Sequence, residues 1–380
     1  MKLRHVPLLL VREMCRHKTH RGLVASTLPS VIQRADELTE FVALYWKDGR
    51  QSLCAQAKRG LAAAFQKFDA YQLAKYNRDG AVKLRDVLFL VHGKPRDNEQ
   101  GAVWKRLVES KLDPPDTWEV ALSGGKNKLD TWKRLLAENK LGYLALLRNL
   151  RNMDDAGVPS DLVDSAIRER RGADMVLPFR FIAAAKAAPH HEPALDEAMV
   201  ATMQQAEKLA GKTVVIIDVS GSMYGSRLSA KSDMDRALAG AALGAICREL
   251  CETPRIYATA GSDASRIHKT AEVPARRGMA LVDAIYGLTG PLGGGGIFLK
   301  QVMDYVYDRE HDADRVVVIT DEQDCGIGIG DAPASARLFA KRHYLINVAS
   351  CKNGIGYGPW THIDGWSESV VRFISESDLN

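Results

Sequence analysis

Two hydrophobic periodicities divide the chain. From Leu3 to about Ala210, apolar residues recur at spacings of three and four, which places them on one face of a helix. SLCAQAKRGLAAAFQKFDAYQLAKY (Ser52–Tyr76) shows this pattern in a background of Ala, Leu, Lys and Gln, all good helix formers. LRDVLFLVHGKP (Leu84–Pro95) predicts a helix stopped by Gly93 and Pro95. KLDTWKRLLAENKLGYLALLRNLRNM (Lys128–Met153) predicts two helices broken near Gly142, and PSDLVDSAIRER (Pro159–Arg170) opens on a capping pattern. No segment here alternates as a strand does. The expected architecture is a solenoid or ring of short antiparallel helices.

After Pro189–Pro193 the texture changes. KTVVIIDVS (Lys212–Ser220) is a short apolar run rich in β-branched residues, and DRALAGAALGAICREL (Asp235–Leu250) is a small-residue helix. RIYATAG (Arg255–Gly261), DRVVVITDE (Asp314–Glu322), RHYLINVAS (Arg342–Ser350) and SVVRFI (Ser369–Ile374) predict further strands, several separated by helices. Such alternation predicts a doubly wound, mostly parallel α/β sheet. In these sheets the working groups gather at the carboxyl ends of the strands, where Asp218 and Asp321 both stand.

Length and charge sharpen this division. The 380 residues exceed one ordinary core and suit two domains. No run approaches the roughly 18 apolar residues of a membrane span. HVPLLLV (His5–Val11) is too short for a signal segment and runs directly into Arg12 and Glu13. The cysteines Cys15, Cys54, Cys247, Cys251, Cys325 and Cys351 form no C-x-x-C pair, and Cys247 and Cys251 are expected as packed thiols one helical turn apart. This usage points to a reducing, cytoplasmic setting. Residues 1–150 carry 27 Lys+Arg against 16 Asp+Glu, a net of +11, whereas residues 151–380 carry 25 against 31, a net of −6. The helical part is therefore the one that would attract a polyanion.

The candidate chemistry lies in TVVIIDVSGSMYGSR (Thr213–Arg227). Asp218, Ser220 and Ser222 alternate in the turn after a strand, and Asp321 would join them from a neighbouring strand end. Carboxylates, hydroxyls and water are the ligands that hard divalent ions such as Mg²⁺ take. The plainer alternative is that Asp218 and Ser220 cap the next helix. A serine hydrolase fits poorly, because VSGSM is not G-x-S-x-G and no histidine is placed as a base. GPLGGGGIF (Gly290–Phe298) lacks the G-K-[ST] ending of a phosphate loop and is expected to be a flexible loop beside the oxygen cluster.

DVSGSM followed by ITDEQ resembles a von Willebrand factor A domain with a metal-ion-dependent adhesion site. The stretches RHVPLLLVREM, KYNRDG, RDVLFLVHGKP, LLRNLRNM and LPFRFIAAAK resemble the TROVE module of the Ro ribonucleoprotein autoantigens and their bacterial relatives, phage Ro-like proteins included. The resemblance covers nearly all of the chain. It implies an all-α HEAT-like helical repeat array, a ring or partial ring, over residues 1–195, followed by a von Willebrand factor A-like domain over 196–380. The family's adhesion site includes a threonine in a Gly-Gly-Thr loop, and Gly296 stands in its place here. Family members also carry further helices ahead of RHVPLLL, so this chain is expected either to be truncated or to form a shorter array.

The resemblance implies a non-catalytic RNA-binding protein of the cytoplasm. Its partners would be Y-like small noncoding RNA and the single-stranded ends of misfolded or decaying RNA, with a ribonuclease or other protein as a further partner and neither DNA nor membrane. The family's RNA contacts map onto Lys75, Arg78 and His92, with the glycine turn near Arg78 shifted by one residue. Lys83, Arg85, Lys94 and Arg96 would widen the patch by charge alone. Any one of these cations taken alone is explained by a solvated helix face, which for a single lysine is the usual case, and His92 by a helix terminus favoured by the dipole. Trp104, Trp118 and Trp132 are expected in the core rather than as stacking platforms. The metal ligands implied are Asp218, Ser220, Ser222 and Asp321, holding Mg²⁺ or another divalent cation. A second functional class, a metal-dependent protein-interaction module working through this adhesion site, stays open.

Overall fold

The computed structural model describes residues 5–123, 127–204, 207–228, 234–326, 337–349, 360–365 and 369–378. Leu3, Arg4, Ser350 and Cys351, named above, lie outside the described residues. Contacts divide the chain into two compact units, Met1–Thr131 and Trp132–Asn380.

The first unit contains α1 (His5–Arg16), α2 (Val24–Val31), α3 (Ala35–Tyr45), α4 (Ala55–Phe65), α5 (Ala70–Tyr76), α6 (Leu84–Val91), α7 (Asn98–Val108) and α8 (Trp118–Ser123). Their apolar faces supply one core, in which Leu8, Leu28, Leu38, Phe41, Leu61 and Phe65 are fully buried. The helical run through Ser52–Tyr76 divides at Asp69. Its carboxylate accepts from the Gln72 backbone N–H at 2.7 Å, and the Gln72 side chain accepts from the Asp69 N–H at 3.1 Å. This reciprocal cap starts α5 afresh. Trp104 is buried edge-on against Phe65, with centroids 5.2 Å apart, and Trp132 is fully buried, so both are packing residues.

In the second unit, α9 (Lys128–Ala137, which begins just before the boundary), α10 (Tyr143–Arg148), α11 (Leu150–Asp155), α12 (Ser160–Glu169), α13 (Phe179–Ala187) and α14 (Glu192–Met203) precede the sheet. The break expected near Gly142 is present, and a second one at Asn149 separates α10 from α11. The remaining elements are β1 (Leu209–Asp218), α15 (Arg236–Leu250), β2 (Cys251–Ser262), β3 (Ile267–Glu272), α16 (Gly278–Tyr286), α17 (Leu299–Glu310), β4 (Arg315–Thr320), β5 (Arg342–Asn347), β6 (Thr361–Asp364) and α18 (Ser369–Asp378). Helix α13 packs on α15, and α14 packs on both α15 and α16.

The sheet order is β3-β2-β1-β4-β5-β6, with β2 and β3 antiparallel and every other pair parallel. Central strands β1 and β4 are buried on both faces, which is why they appear as unbroken apolar runs. The chain leaves β1 toward β2 on one side and reaches β4 on the other. That switch opens a crevice at the carboxyl ends of β1 and β4.

Three expectations change. SVVRFI lies in helix α18, not in a strand; Val370, Val371 and Ile374, spaced at one and three, bury one helical face. Cys251 does not share a helix with Cys247, because α15 ends at Leu250 and Cys251 opens β2, although the two buried thiols are hydrogen-bonded. Strands β3 and β6 were not anticipated. Among the described residues, Cys15, Cys54, Cys247, Cys251 and Cys325 are free thiols, and no helix is long and apolar enough to cross a membrane.

Candidate metal centre and candidate nucleic-acid interface

Asp218 ends β1 and is completely buried. Its Oδ1 accepts the Ser220 backbone N–H at 2.8 Å and its Oδ2 accepts the Thr320 hydroxyl at 2.6 Å. The Ser220 and Ser222 hydroxyls lie 3.3 Å apart. Asp321, also fully buried, follows β4; its Oδ2 accepts from Arg236 at 3.1 Å and its Oδ1 from the Gln323 N–H at 3.2 Å. Burial, and then repulsion from Asp321, push Asp218 up to about 6 despite its hydrogen bonds from Ser220 and Thr320. The four expected side chains thus gather at the switch crevice. Capping does not explain them: α15 is capped by Asp235, which accepts from the Leu238 N–H at 2.8 Å, and Ser220 makes no side-chain cap bond.

The glycine loop is held against this cluster. The Gly221 N–H donates to Gly295 O at 3.3 Å, and a Cβ on Gly221 would stand 2.7 Å from Gly294 O, so only glycine fits there. The Gly295 N–H donates to Gly261 O at 3.1 Å and the Gly296 N–H to Asp263 Oδ1 at 2.8 Å. These donors are committed inside the protein and do not form a phosphate cradle. A Cβ at Gly296 would lie 2.2 Å from Cys325 Sγ. The space a threonine would need is therefore taken by the Cys325 thiol, whose pKa is raised chiefly by burial. The Thr289 hydroxyl is buried beside the Tyr224 phenol.

Two carboxylates and two hydroxyls form a donor set suited to a hard divalent cation, and the Arg236 guanidinium already offsets one carboxylate charge. Sequence reasoning missed Thr320, Arg236 and Cys325. Thr320 was detectable, since it directly precedes Asp321 at a strand end, whereas Arg236 and Cys325 reach the site through folding alone.

In the first unit, Lys75 and Arg78 are exposed at and just beyond the end of α5, and His92 is exposed where it ends α6 in a left-handed conformation (φ 49°). Between Arg78 and His92 lie residues 79–83 and the eight residues of α6. Lys83 pairs with Asp79 at 2.7 Å, Arg85 approaches Asp86 at 3.8 Å, and Arg96 pairs with Asp97 at 3.1 Å, so much of their charge is locally offset. Lys94 is exposed, with its carbonyl accepting from Gln66. The structure adds aromatic rings to Lys75, whose ammonium lies 5.6 Å from the Tyr71 ring centre and 5.9 Å from that of Tyr76. Arg34 covers Tyr76 at 4.5 Å. Arg34, Phe68, Tyr71, Lys75 and Tyr76 line one hollow of about 180 Å³.

A TROVE domain family model matches residues 105–286, a span that includes Asp218, Ser220 and Ser222 and begins after Lys94. Telomerase protein component 1 of Mus musculus is 35% identical over 77 residues, covering 19% of this chain and 3% of that protein. Its Rattus norvegicus counterpart is 33% identical over 77 residues, with the same coverage of 19% and 3%. The chain thus spans only a small fraction of the length of these relatives. The crystal structure of the Deinococcus radiodurans RO (RSR) protein is similar with a TM-score of 0.70 and 18% identity, covering 98% of this chain and 87% of that one. At that identity the similarity shows a shared fold, a helical repeat part followed by an A-like α/β sheet.

Proposed function

We propose that this chain is a Ro-like TROVE protein and, on that reading, a non-catalytic RNA-binding component of a ribonucleoprotein particle. Residues 1–195 form its RNA-binding part and residues 196–380 its A-like domain. The RNA is a Y-like small noncoding RNA, or the single-stranded end of a structured or misfolded RNA, and it is gripped through Lys75, Arg78 and His92. Lys94 adds long-range attraction, as Lys83 and Arg85 do to a lesser degree.

The observation that carries this reading is the hollow that combines Lys75 and Arg34 with Tyr71 and Tyr76 on a part of the chain bearing excess positive charge. Cations supply sequence-tolerant phosphate contacts, and tyrosine faces stack on unpaired bases. A double-stranded RNA offers no unstacked base to such a hollow, so single strands are favoured. The test is a filter-binding titration with a structured small RNA bearing a single-stranded 3′ tail, alongside the same RNA without the tail. Tail-dependent binding that weakens in Lys75→Ala and Tyr76→Ala is expected. Folded wild-type protein that binds neither RNA at low salt overturns the reading.

A second reading is favoured by the oxygen cluster. The A-like domain coordinates Mg²⁺ through Asp218, Ser220, Ser222 and Asp321, and a carboxylate of a protein partner, such as a ribonuclease, completes the coordination. Calorimetric titration of Mg²⁺ into wild type and Asp218→Ala decides this, since identical curves leave the cluster with no metal to hold.

A further inference from the structure

A second group of metal-type ligands lies in the helices that precede the sheet, apart from the oxygen cluster. Asp154 is in the last turn of α11 and Asp164 is on α12. His190 and His191 are in the 3-10 turn Pro189–His191 that leads into α14. His191 is fully buried, with its Nε2 3.0 Å from Asp154 Oδ1 and its Nδ1 2.6 Å from Asp164 Oδ1. His190 Nε2 lies 3.1 Å from the same Asp154 oxygen. One ligand atom each from Asp154, His190 and His191 falls within 4.8 Å of the other two.

We infer that Asp154, His190 and His191 form a site for a borderline divalent transition ion, Zn²⁺ foremost, and that Asp164 orients His191 within it. The chemistry of the donors selects the ion: two imidazoles and one carboxylate suit zinc and its neighbours, not Mg²⁺ or Ca²⁺. The spacing agrees. Ligands about 2.0–2.1 Å from a tetrahedral zinc stand about 3.3 Å from one another, close to the two nitrogen–oxygen separations here. The surroundings agree as well. With an ion bound, Asp164 would accept the Nδ1–H of His191 and leave the Nε2 lone pair for the metal, the arrangement by which a carboxylate behind a histidine sets its tautomer. Both ring nitrogens of His191 face carboxylate oxygens, and an ion at Nε2 would let Nδ1–H serve Asp164 while Asp154 binds the ion. The His190 side chain is 51% exposed, so the ion has an entry route and room for a water as its fourth ligand. Loading would tie the turn before α14 to α11 and α12. Since α14 packs on α15 and α16, the ion would brace the helices that support the sheet.

The experiment uses the full chain, stripped with chelator and titrated with Zn²⁺ by calorimetry, with bound zinc counted by elemental analysis after dialysis. One Zn²⁺ per chain is expected for wild type and for Asp218→Ala. His190→Ala, chosen because its side chain is half exposed and its loss should leave the fold intact, should lose at least tenfold in affinity. Asp164→Asn should fall 10–100-fold, the range for a supporting partner of a metal ligand. Cobalt-loaded wild type should show the visible bands of tetrahedral Co²⁺, and His190→Ala should not. The inference is overturned by folded wild type that takes up no stoichiometric zinc. Equal uptake by His190→Ala, or uptake abolished by Asp218→Ala, overturns it too. Asp164→Asn matching wild type overturns the orienting role.

Discussion

Arg236 donates to Asp321 at 3.1 Å, so the first residue of α15 supplies positive charge to a buried carboxylate that follows β4. Asp321 in turn is close enough to Asp218 to help raise its pKa. The guanidinium thus offsets part of the repulsion that a bound divalent ion would otherwise have to offset. In Arg236→Gln the carboxylates keep their burial and lose this cation. We expect a loss of about 3 kcal/mol, in the range for breaking a buried ion pair, read as a lower urea midpoint with unchanged slope. Added Mg²⁺ should raise the midpoint more in Arg236→Gln than in wild type. An equal effect in both proteins would show that the guanidinium and the metal do not share the same charge.

The Gly296–Cys325 contact gives a reciprocal prediction. Gly296→Thr places a Cβ 2.2 Å from the Cys325 sulfur and should cost about 1–3 kcal/mol through overpacking. The double variant Gly296→Thr/Cys325→Ala removes the contact with sulfur, leaves the Cβ of residue 325 at 3.1 Å, and places a hydroxyl beside the cluster. Its stability should recover, and its Mg²⁺ affinity in calorimetry should exceed that of Cys325→Ala alone.

A charge cluster at the opposite end of the sheet sets a pH dependence. Glu310, buried at the end of α17, is paired with Lys212 at 2.7 Å and Arg255 at 3.0 Å and accepts from the Tyr257 hydroxyl at 2.5 Å. Burial alone would raise its pKa, but the bonds from Lys212, Tyr257 and Arg255 outweigh burial and the net shift is downward. A depressed folded value means that the stabilisation is fully present above the ordinary glutamate value of 4.5 and is lost as pH falls through the lower folded value. Glu310→Gln should therefore be less stable than wild type by about 3 kcal/mol at pH 7, and the gap should narrow in acid. Thermal melts between pH 7 and pH 3 check the sign.

On the proposed reading, the tyrosine and lysine contributions to RNA binding should separate by salt. Tyr76→Ala should cost about 1–3 kcal/mol per base stacked and leave the salt dependence nearly unchanged. Lys75→Ala should weaken binding to all single-stranded sequences alike and lower the slope of log affinity against log salt by about 1. Filter binding at several salt concentrations measures both, and identical slopes would remove Lys75 from the phosphate contacts.

Local pattern was enough for the elements whose burial is one-sided or complete. The amphipathic helices of the first unit and the apolar runs of β1, β4 and β5 announce themselves, because burying a face imposes a period on the chain. The same holds for Asp218, Ser220, Ser222 and Asp321, since polar residues that end apolar runs mark strand ends. SVVRFI misled because four apolar residues in six fit a helical face as well as a strand. Strand β3 stayed hidden because His268 and Lys269 interrupt its apolar pattern and it has β2 as its neighbour on one side only. Other relationships depend on residues far apart in sequence: Arg236 with Asp321, Cys325 filling the space beside Gly296, and Asp154 with Asp164, His190 and His191. No short stretch carries that information, because these groups meet only when packing of the helices and the parallel crossovers bring separate segments to one point.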